Sequence, residues 1–410
     1  MAKISAFKAI RPTRDKVHLV AAKPLYAYKK NVLEAKLEDN RFTFLHIVSS
    51  KFSQDASTKP NSLERFNLVS ERYNEFIEDG ILIQDDEPAL YIYRQTHNGH
   101  RYTGIICGAS IEEYKHDQIK KHEATITSRE EMFINYLDIV GYNAEPVLLS
   151  HSKSPEIDQL FVNCMQERPE YEFTTTDYYK HEVWVLSKED TLAFQEAFED
   201  LETLYIADGH HRTASSVGLF DKRKSNGDHF KNEESFLAYL IDENHLDILE
   251  FNRLIKNTNN HSKEEFLRLL NDNFFVETIA SASKPLSEHE LHMCLEGSWY
   301  RLQCKDQILK NDHPVKSLDA QILTDYILSP ILNIHDLKSN KDISFISGAE
   351  PLEKIESKVL SGEYSLAFVL YPVTMSQIKK VADNNMIMPP KSTWVEPKLR
   401  SGLTIYNINE

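Results

Sequence analysis

At 410 residues with 41% hydrophobic side chains, the chain is long enough for two domains, each with its own core. A formal net charge of −16 argues against broad binding to duplex DNA or to an anionic membrane, and no stretch approaches the roughly 20 apolar residues that a membrane span needs. The four cysteines, Cys107, Cys164, Cys294 and Cys304, are far apart and form no CxxC pair; this argues against a zinc knuckle or disulfide framework and, with no signal-peptide pattern in Met1–Lys8, fits a reducing cytoplasm.

In chain order, Phe7–Pro12 and Val17–Ala22 read as short strands, and Phe42–Val48 as a firmer one. Asn61 or Ser62 can cap a helix running to Asp79, with Gly80 as its stop. Ala89–Arg94 and Tyr102–Cys107 flank Asn98-Gly99, a hairpin signal. Ser128 and Glu131 have capping-box spacing before a helix that ends at Gly141. Pro146–Leu149 and Val183–Leu186 read as strands, and Lys188–Phe198 as a helix. The polar stretch 221–234 reads as a mobile connection, and the pattern restarts after Asn226. Beyond it, Phe236–Ile241 and Leu246–Phe251 look like paired strands, Lys263–Asn271, Leu318–Leu328, Pro351–Leu360 and Met375–Asn384 like helices, and Tyr364–Tyr371 like a buried strand. Met388–Lys398 carries prolines that forbid a helix and suit an ordered loop or edge strand. The expected fold class is α+β, with domains at 1–225 and 226–410.

The most informative stretch is Tyr205–Ser216. An apolar run stops at Asp208-Gly209, His210, His211 and Arg212 follow, and small residues from Thr213 onward continue as a helix. A strand, tight turn and helix start of this kind aims backbone N–H groups and a helix dipole at one point, where an anion is favoured. Arg212 adds a planar fork suited to phosphate or carboxylate, and Gly209 admits positive φ or close approach. A plain Asp-Gly turn needs none of this chemistry, but four charge-binding residues, Asp208, His210, His211 and Arg212, clustered after a buried strand favour a site.

Two further segments carry candidates. Lys120–Thr125 places Glu123, beside His122, in an extended segment before a helix, where a carboxylate can serve as general base if its environment tunes it; a solvated loop is the plainer alternative. Pro389–Thr393 puts Lys391 and Thr393 on a Pro-stiffened loop able to hold an anion or simply to turn. Neither GxxxxGK[ST] nor GxGxxG occurs, so a nucleotide would be held by other means.

Taken together, the motifs resemble the bacterial and archaeal family known as domain of unknown function 1015. The resemblance rests on Phe7–Pro12, Lys121–Thr125, Ile206–Arg212, Leu318–Leu323, Met388–Thr393 and Ser401–Leu403, in that order. Its Asp-Gly-His-His-Arg segment is similar to the phosphate-binding turn of the ParB and sulfiredoxin superfamily, which includes free serine kinases. The resemblance therefore implies a ParB/sulfiredoxin-like N-terminal unit with a second mixed α/β domain. No cysteine neighbours Asp208–Arg212, and the chain is acidic with no helix-turn-helix pattern, so sulfinic-acid repair and DNA binding are disfavoured. Lys23–Ala27 departs from the Pro-Pro-Tyr-Asp usual in the family.

The leading expectation is a small-molecule kinase that moves a phosphoryl group from ATP or ADP to a hydroxyl acceptor, with free L-serine as candidate. Gly209, His210, His211, Arg212 and Thr213 would cradle phosphate, Glu123 with His122 would accept the hydroxyl proton, Asp208 would hold Mg2+ or orient a histidine, and Lys391 and Thr393 would close over the substrate. Two alternatives stand beside it. One is a metal-dependent hydrolase with His122, Glu123, Asp208, His210 and His211 as ligands. The other is a nucleotide-binding regulator without turnover. The expected partners are nucleotide and a small-molecule substrate, with neither DNA nor membrane; a homodimer is left open.

Overall fold

The computed structural model describes residues 2–49, 58–310 and 312–410. The chain divides into two compact units, one formed by Met1–Lys120, Thr125–Leu246 and Pro397–Glu410, the other by Lys121–Ala124 and Asp247–Glu396. Both combine sheets with helices, so the architecture is mixed α/β as expected.

The first unit is built on a nine-stranded sheet. Its strands run in the order Ile119–Lys120, Leu204–Asp208, Val147–His151, Ser235–Asp242, His100–Ser110, Tyr91–His97, Lys180–Val185 and Tyr171–Thr174, with Ile4–Ser5 also paired to the 100–110 strand. Two pairings are parallel, 204–208 with 119–120 and 235–242 with 147–151; the others are antiparallel. The hairpin at Asn98-Gly99 is present, with both residues at positive φ (49° and 82°) as its two-residue turn demands.

Period-two alternation splits this sheet into two chemically different faces. Ile92, Trp184, Ile105, Leu149, Leu240 and Ile206 enter an apolar core with Phe161, Phe194 and Phe198 from the helices Pro155–Cys164 and Lys188–Glu199. The opposite face carries Tyr91, Tyr93, Gln95, His181 and Tyr239, and register puts Asp208, Leu148 and Tyr239 in one row of it. Gly104 makes room there: a Cβ on it would lie 2.6 Å from the Tyr239 ring, so only glycine lets that ring cross the neighbouring strand. A second core gathers Val20, Phe44, Leu45, Val69, Tyr73, Phe76 and Ile405 around the helix Leu63–Glu78, whose N-cap is Ser62.

The segment 397–410 returns to this unit and is stitched into it. Ile405 exchanges backbone hydrogen bonds with Ile10 (2.8 and 2.9 Å), Ser401 does so with Ala22 (2.8 and 3.2 Å), and Tyr406–Asn407 pairs with Tyr142–Asn143. This stitching sets the side chains of Lys398 and Arg400.

The second unit is a seven-stranded antiparallel sheet. Met293, Leu302, Ile255 and Phe368 pack on one side with the helices Lys263–Leu270 and Asp319–Leu323; Leu254, Cys294 and Ala367 pack on the other with Leu352–Leu360. Thr393–Glu396 adds to the 247–255 strand, which matches the extended edge segment expected there.

Several expectations are corrected. Phe42–Val48 is no strand: Leu45–Val48 is a short helix entered through Asn40 and Thr43, whose side-chain oxygens accept from Phe42 N (3.0 Å) and Leu45 N (3.4 Å). Val17–Val20 is likewise helical. Short apolar runs have no period that separates strand from buried helix, and local Asn and Thr bonds decided here. Ser128 lies inside the helix Thr127–Val140, whose N-cap, Ile126, makes no side-chain cap. The 235–242 and 247–255 strands do not pair with each other. The former pairs with 100–110 and 147–151 in the first unit, the latter with 343–347 and 366–369 in the second. The division therefore falls after Leu246 rather than after residue 225. The stretch 221–234 is not a loose connection. Arg223 pairs with Asp138 (2.7 Å) and with buried Glu233, and Lys222 with Asp138 (2.6 Å).

Candidate functional site

The strand Leu204–Asp208 ends, Gly209 turns, and the 17-residue helix His210–Asn226 begins, as the sequence implies. Gly209 has φ 107° and serves as N-cap without a side-chain cap. A Cβ here would also come within 3.0–3.2 Å of the Arg212 guanidinium, which folds back over the turn. Glycine is thus favoured by the dihedral, and a Cβ would also press on the guanidinium. Arg212 is fixed by Nη1 donating to Pro146 O and by Nη2 lying 3.5 Å from Asp208 Oδ2.

Lys398 completes the cluster from the returning segment, its Nζ 3.3 Å from the same Asp208 oxygen. Desolvation works against the Asp208 charge, but Lys398 and Arg212 overcome it and hold the carboxyl below its usual range. Asp208 is 37% exposed, so the cluster faces solvent with two cations against one carboxylate. His210 is buried and His211 half-buried; Ser215 Oγ donates to His211 O (2.6 Å). Thr213 is fully buried with its hydroxyl on Gly209 O (3.4 Å), so it braces the turn and presents nothing outward.

On the same face, Gln95 Nε2 donates to Lys398 O (3.4 Å). Two residues on, Arg400 Nη2 donates to Thr175 Oγ1 (3.2 Å) and to Asp177 (3.0 and 3.1 Å), and Lys23 Nζ reaches Asp177 at 2.6 Å. Burial opposes the Asp177 charge, yet Lys23, Thr175 and Arg400 hold its carboxyl well below the usual range. His181, fully buried beside them, is pushed down to about 3 by burial and then by the Arg400 charge, so it is neutral; its Nδ1 lies 2.9 Å from Tyr93 Oη.

The expected residues come from both units. Asp208, Gly209, His210, His211, Arg212 and Thr213 belong to the first unit. His122, Glu123, Lys391 and Thr393 belong to the second, where Met388 N donates to His122 O (2.8 Å), Lys391 Nζ lies 5.0 Å from the Phe251 ring centroid, and Thr393 pairs with Glu250. Sequence reasoning missed Lys398, Arg400, Lys23 and Asp177. The available signal was the Lys-x-Arg alternation after Pro397, which puts two cations on one side of an extended segment.

Magnesium fits poorly on Asp208, because a carboxylate already shared by Lys398 and Arg212 would have to release them to ligate it. A phosphate fits better: it can draw on both cations and on the first-turn N–H groups that a helix leaves without intrahelical partners. Among the described residues, no helix is long and apolar enough to cross a membrane.

No curated protein matches the chain. Among solved structures it is similar to a free serine kinase in complex with AMP, at 15% identity over 74% of this chain and 91% of that one with a TM-score of 0.36. It is also similar to a conserved hypothetical protein from Pyrococcus furiosus, at 14% identity over 74% and 95% with a TM-score of 0.34. A third is C-terminally truncated SbnI from Staphylococcus aureus, at 12% identity over 73% and 87% with a TM-score of 0.38. The family model described as "Protein of unknown function (DUF1015)" matches residues 4–321, most of the chain and the whole of the strand, turn and helix described above, and the protein belongs to that family.

Proposed function

We propose that this protein holds a nucleotide by its phosphates on the Asp208–Arg212 turn and transfers a phosphoryl group to a small hydroxyl acceptor, with free L-serine as the acceptor that the family resemblance suggests. One observation carries the reading. Arg212 and Lys398 converge at the uncapped start of a 17-residue helix, over a glycine whose φ of 107° disfavours any side chain. Phosphoryl transfer asks the protein chiefly for positioning and charge stabilisation, which two fixed cations and a helix start supply. Asp208 acts by keeping both cations in place. Glu123 is proposed to accept the hydroxyl proton.

A nucleotide-binding regulator without turnover is the second reading. It draws support from Asp208, whose carboxylate is committed to two cations rather than open to a metal.

Phosphorus NMR of the purified protein with magnesium, ATP or ADP, and a mixture of hydroxyl amino acids and polyols separates them. A new phosphomonoester signal establishes transfer and identifies the acceptor. Inorganic phosphate alone indicates hydrolysis and overturns the proposal. Broadened donor signals without product leave the regulator.

A further inference from the structure

The face that carries Asp208 holds a second cluster with chemistry that the phosphate turn does not use. Arg400 is 5% exposed, and its Nε is buried with no hydrogen-bond partner. Nε and Nη2 share one edge of the guanidinium, the edge that grips a carboxylate with two parallel bonds. Here Asp177 and Thr175 occupy Nη2 alone. Gln95, 1% exposed, presents the converse: its Nε2 reaches Lys398 O, while its Oε1 is buried without a partner.

These two orphans belong to one neighbourhood. Gln95 stands opposite His181 across the sheet, His181 Nε2 lies 3.4 Å from Thr175 Oγ1, and Thr175 Oγ1 accepts from Arg400. Asp177 and Lys23, about a third exposed each, bring the cluster to solvent. Leaving a buried donor and a buried acceptor unmet costs free energy, and one ligand bearing both complements removes both costs. Lys398 at the phosphate cluster and Arg400 here are two residues apart on the returning segment, so one stretch of chain supplies both clusters.

We infer that Lys23, Gln95, Asp177 and Arg400 form the acceptor subsite, and that they select a small carboxylate carrying an amino or hydroxyl group. The carboxylate accepts from the open Arg400 Nε, and the amino or hydroxyl group donates to Gln95 Oε1, with Asp177 favouring an ammonium. The acid's far hydroxyl is then presented on the sheet face that also carries Asp208. The inference rests on the proposed transfer reading for its biological sense but not for its test.

The test is ligand-observed saturation-transfer NMR on the full chain without nucleotide, using L-serine, D-glycerate, glycerol and ethanolamine. L-Serine and D-glycerate are expected to bind, glycerol and ethanolamine not to. Arg400→Gln is expected to weaken binding on the order of tenfold or more. Should that variant fail to fold, Gln95→Met, which keeps side-chain volume, reports on the same subsite and is expected to weaken both acids. Equal binding of all four compounds, or acid binding unchanged in the folded variants, overturns the inference. Acid binding without any phosphomonoester in the phosphorus experiment sustains the subsite and fails the transfer reading. Transfer to glycerol as readily as to L-serine does the reverse.

Discussion

Lys398 Nζ lies 3.3 Å from Asp208 Oδ2, a contact between residues 190 apart in sequence. Asp208 ends a strand buried in the first unit's sheet, while Lys398 rides on the segment that returns after the whole second unit. The cluster of Asp208, Arg212 and Lys398 is therefore shared between distant parts of the chain. Lys398→Met removes one of its two cations and is expected to weaken nucleotide binding on the order of tenfold with the fold retained, checked by calorimetric titration at two salt concentrations.

Gly209→Ala tests the turn itself. At φ 107° an alanine is strained, and its Cβ meets the Arg212 guanidinium at 3.0–3.2 Å. The expected loss of stability is about 1–3 kcal/mol, seen as a lowered unfolding midpoint. Displacement of Arg212 should also abolish nucleotide binding at temperatures where the variant is folded.

The double change His210→Ala with Arg212→Ala removes the guanidinium and the first imidazole of the helix. Turnover and nucleotide binding are expected to disappear while circular dichroism stays that of the parent. By contrast, Glu123→Gln should lower kcat by a hundredfold or more while leaving nucleotide affinity within about twofold, the pattern of a lost general base.

His181 sets a pH dependence. Its ordinary value of 6.5 applies in the unfolded chain, and in the folded protein burial and Arg400 hold it at about 3. Between these values the unfolded chain takes up a proton that the folded one refuses. The stability tied to the neutral ring is complete above pH 6.5 and is lost as pH falls towards 3. From pH 7.5 to pH 5 the loss is about 2 kcal/mol. Urea unfolding at both pH values checks it, and His181→Gln should flatten this limb.

Arg223 stands between Asp138 and Glu233, whose side chain is only 2% exposed. Burial pushes the Glu233 carboxyl up, and Arg223 restrains it. Arg223→Met leaves that carboxylate buried without its cation and should cost about 3 kcal/mol in denaturant unfolding, part of which Glu233→Gln should restore.

The comparison of residue pattern with fold has a physical logic. Elements with an intrinsic signal were legible: the Ser62-capped helix, the Asn98-Gly99 hairpin, and the strand, Gly209 turn and helix. Each is specified within a dozen residues. The 42–48 run misled because its contiguous apolar residues suit either structure and Asn40 with Thr43 tipped it to helix. The strands 235–242 and 247–255 are close in sequence but join different sheets, and no local pattern records which partner a strand will find. The same limit hid half of the candidate site. Asp208 to Arg212 announce themselves in one stretch, whereas Lys23, Asp177, Lys398 and Arg400 become neighbours only through long-range pairing.

The return of residues 397–410 to the first unit has a consequence for biosynthesis. Between Leu246 and Pro397 the ribosome must make the 150 residues of Asp247–Glu396. At typical elongation rates that is a delay of roughly 8–30 s, during which the first unit lacks the partners of Ile10, Ala22 and Tyr142 as well as Lys398 and Arg400. The nascent first unit is thus held incomplete until the second has emerged, and a message that fails anywhere in that interval yields a chain with neither cluster's distal cation. Both clusters are complete only once the second unit has been translated through.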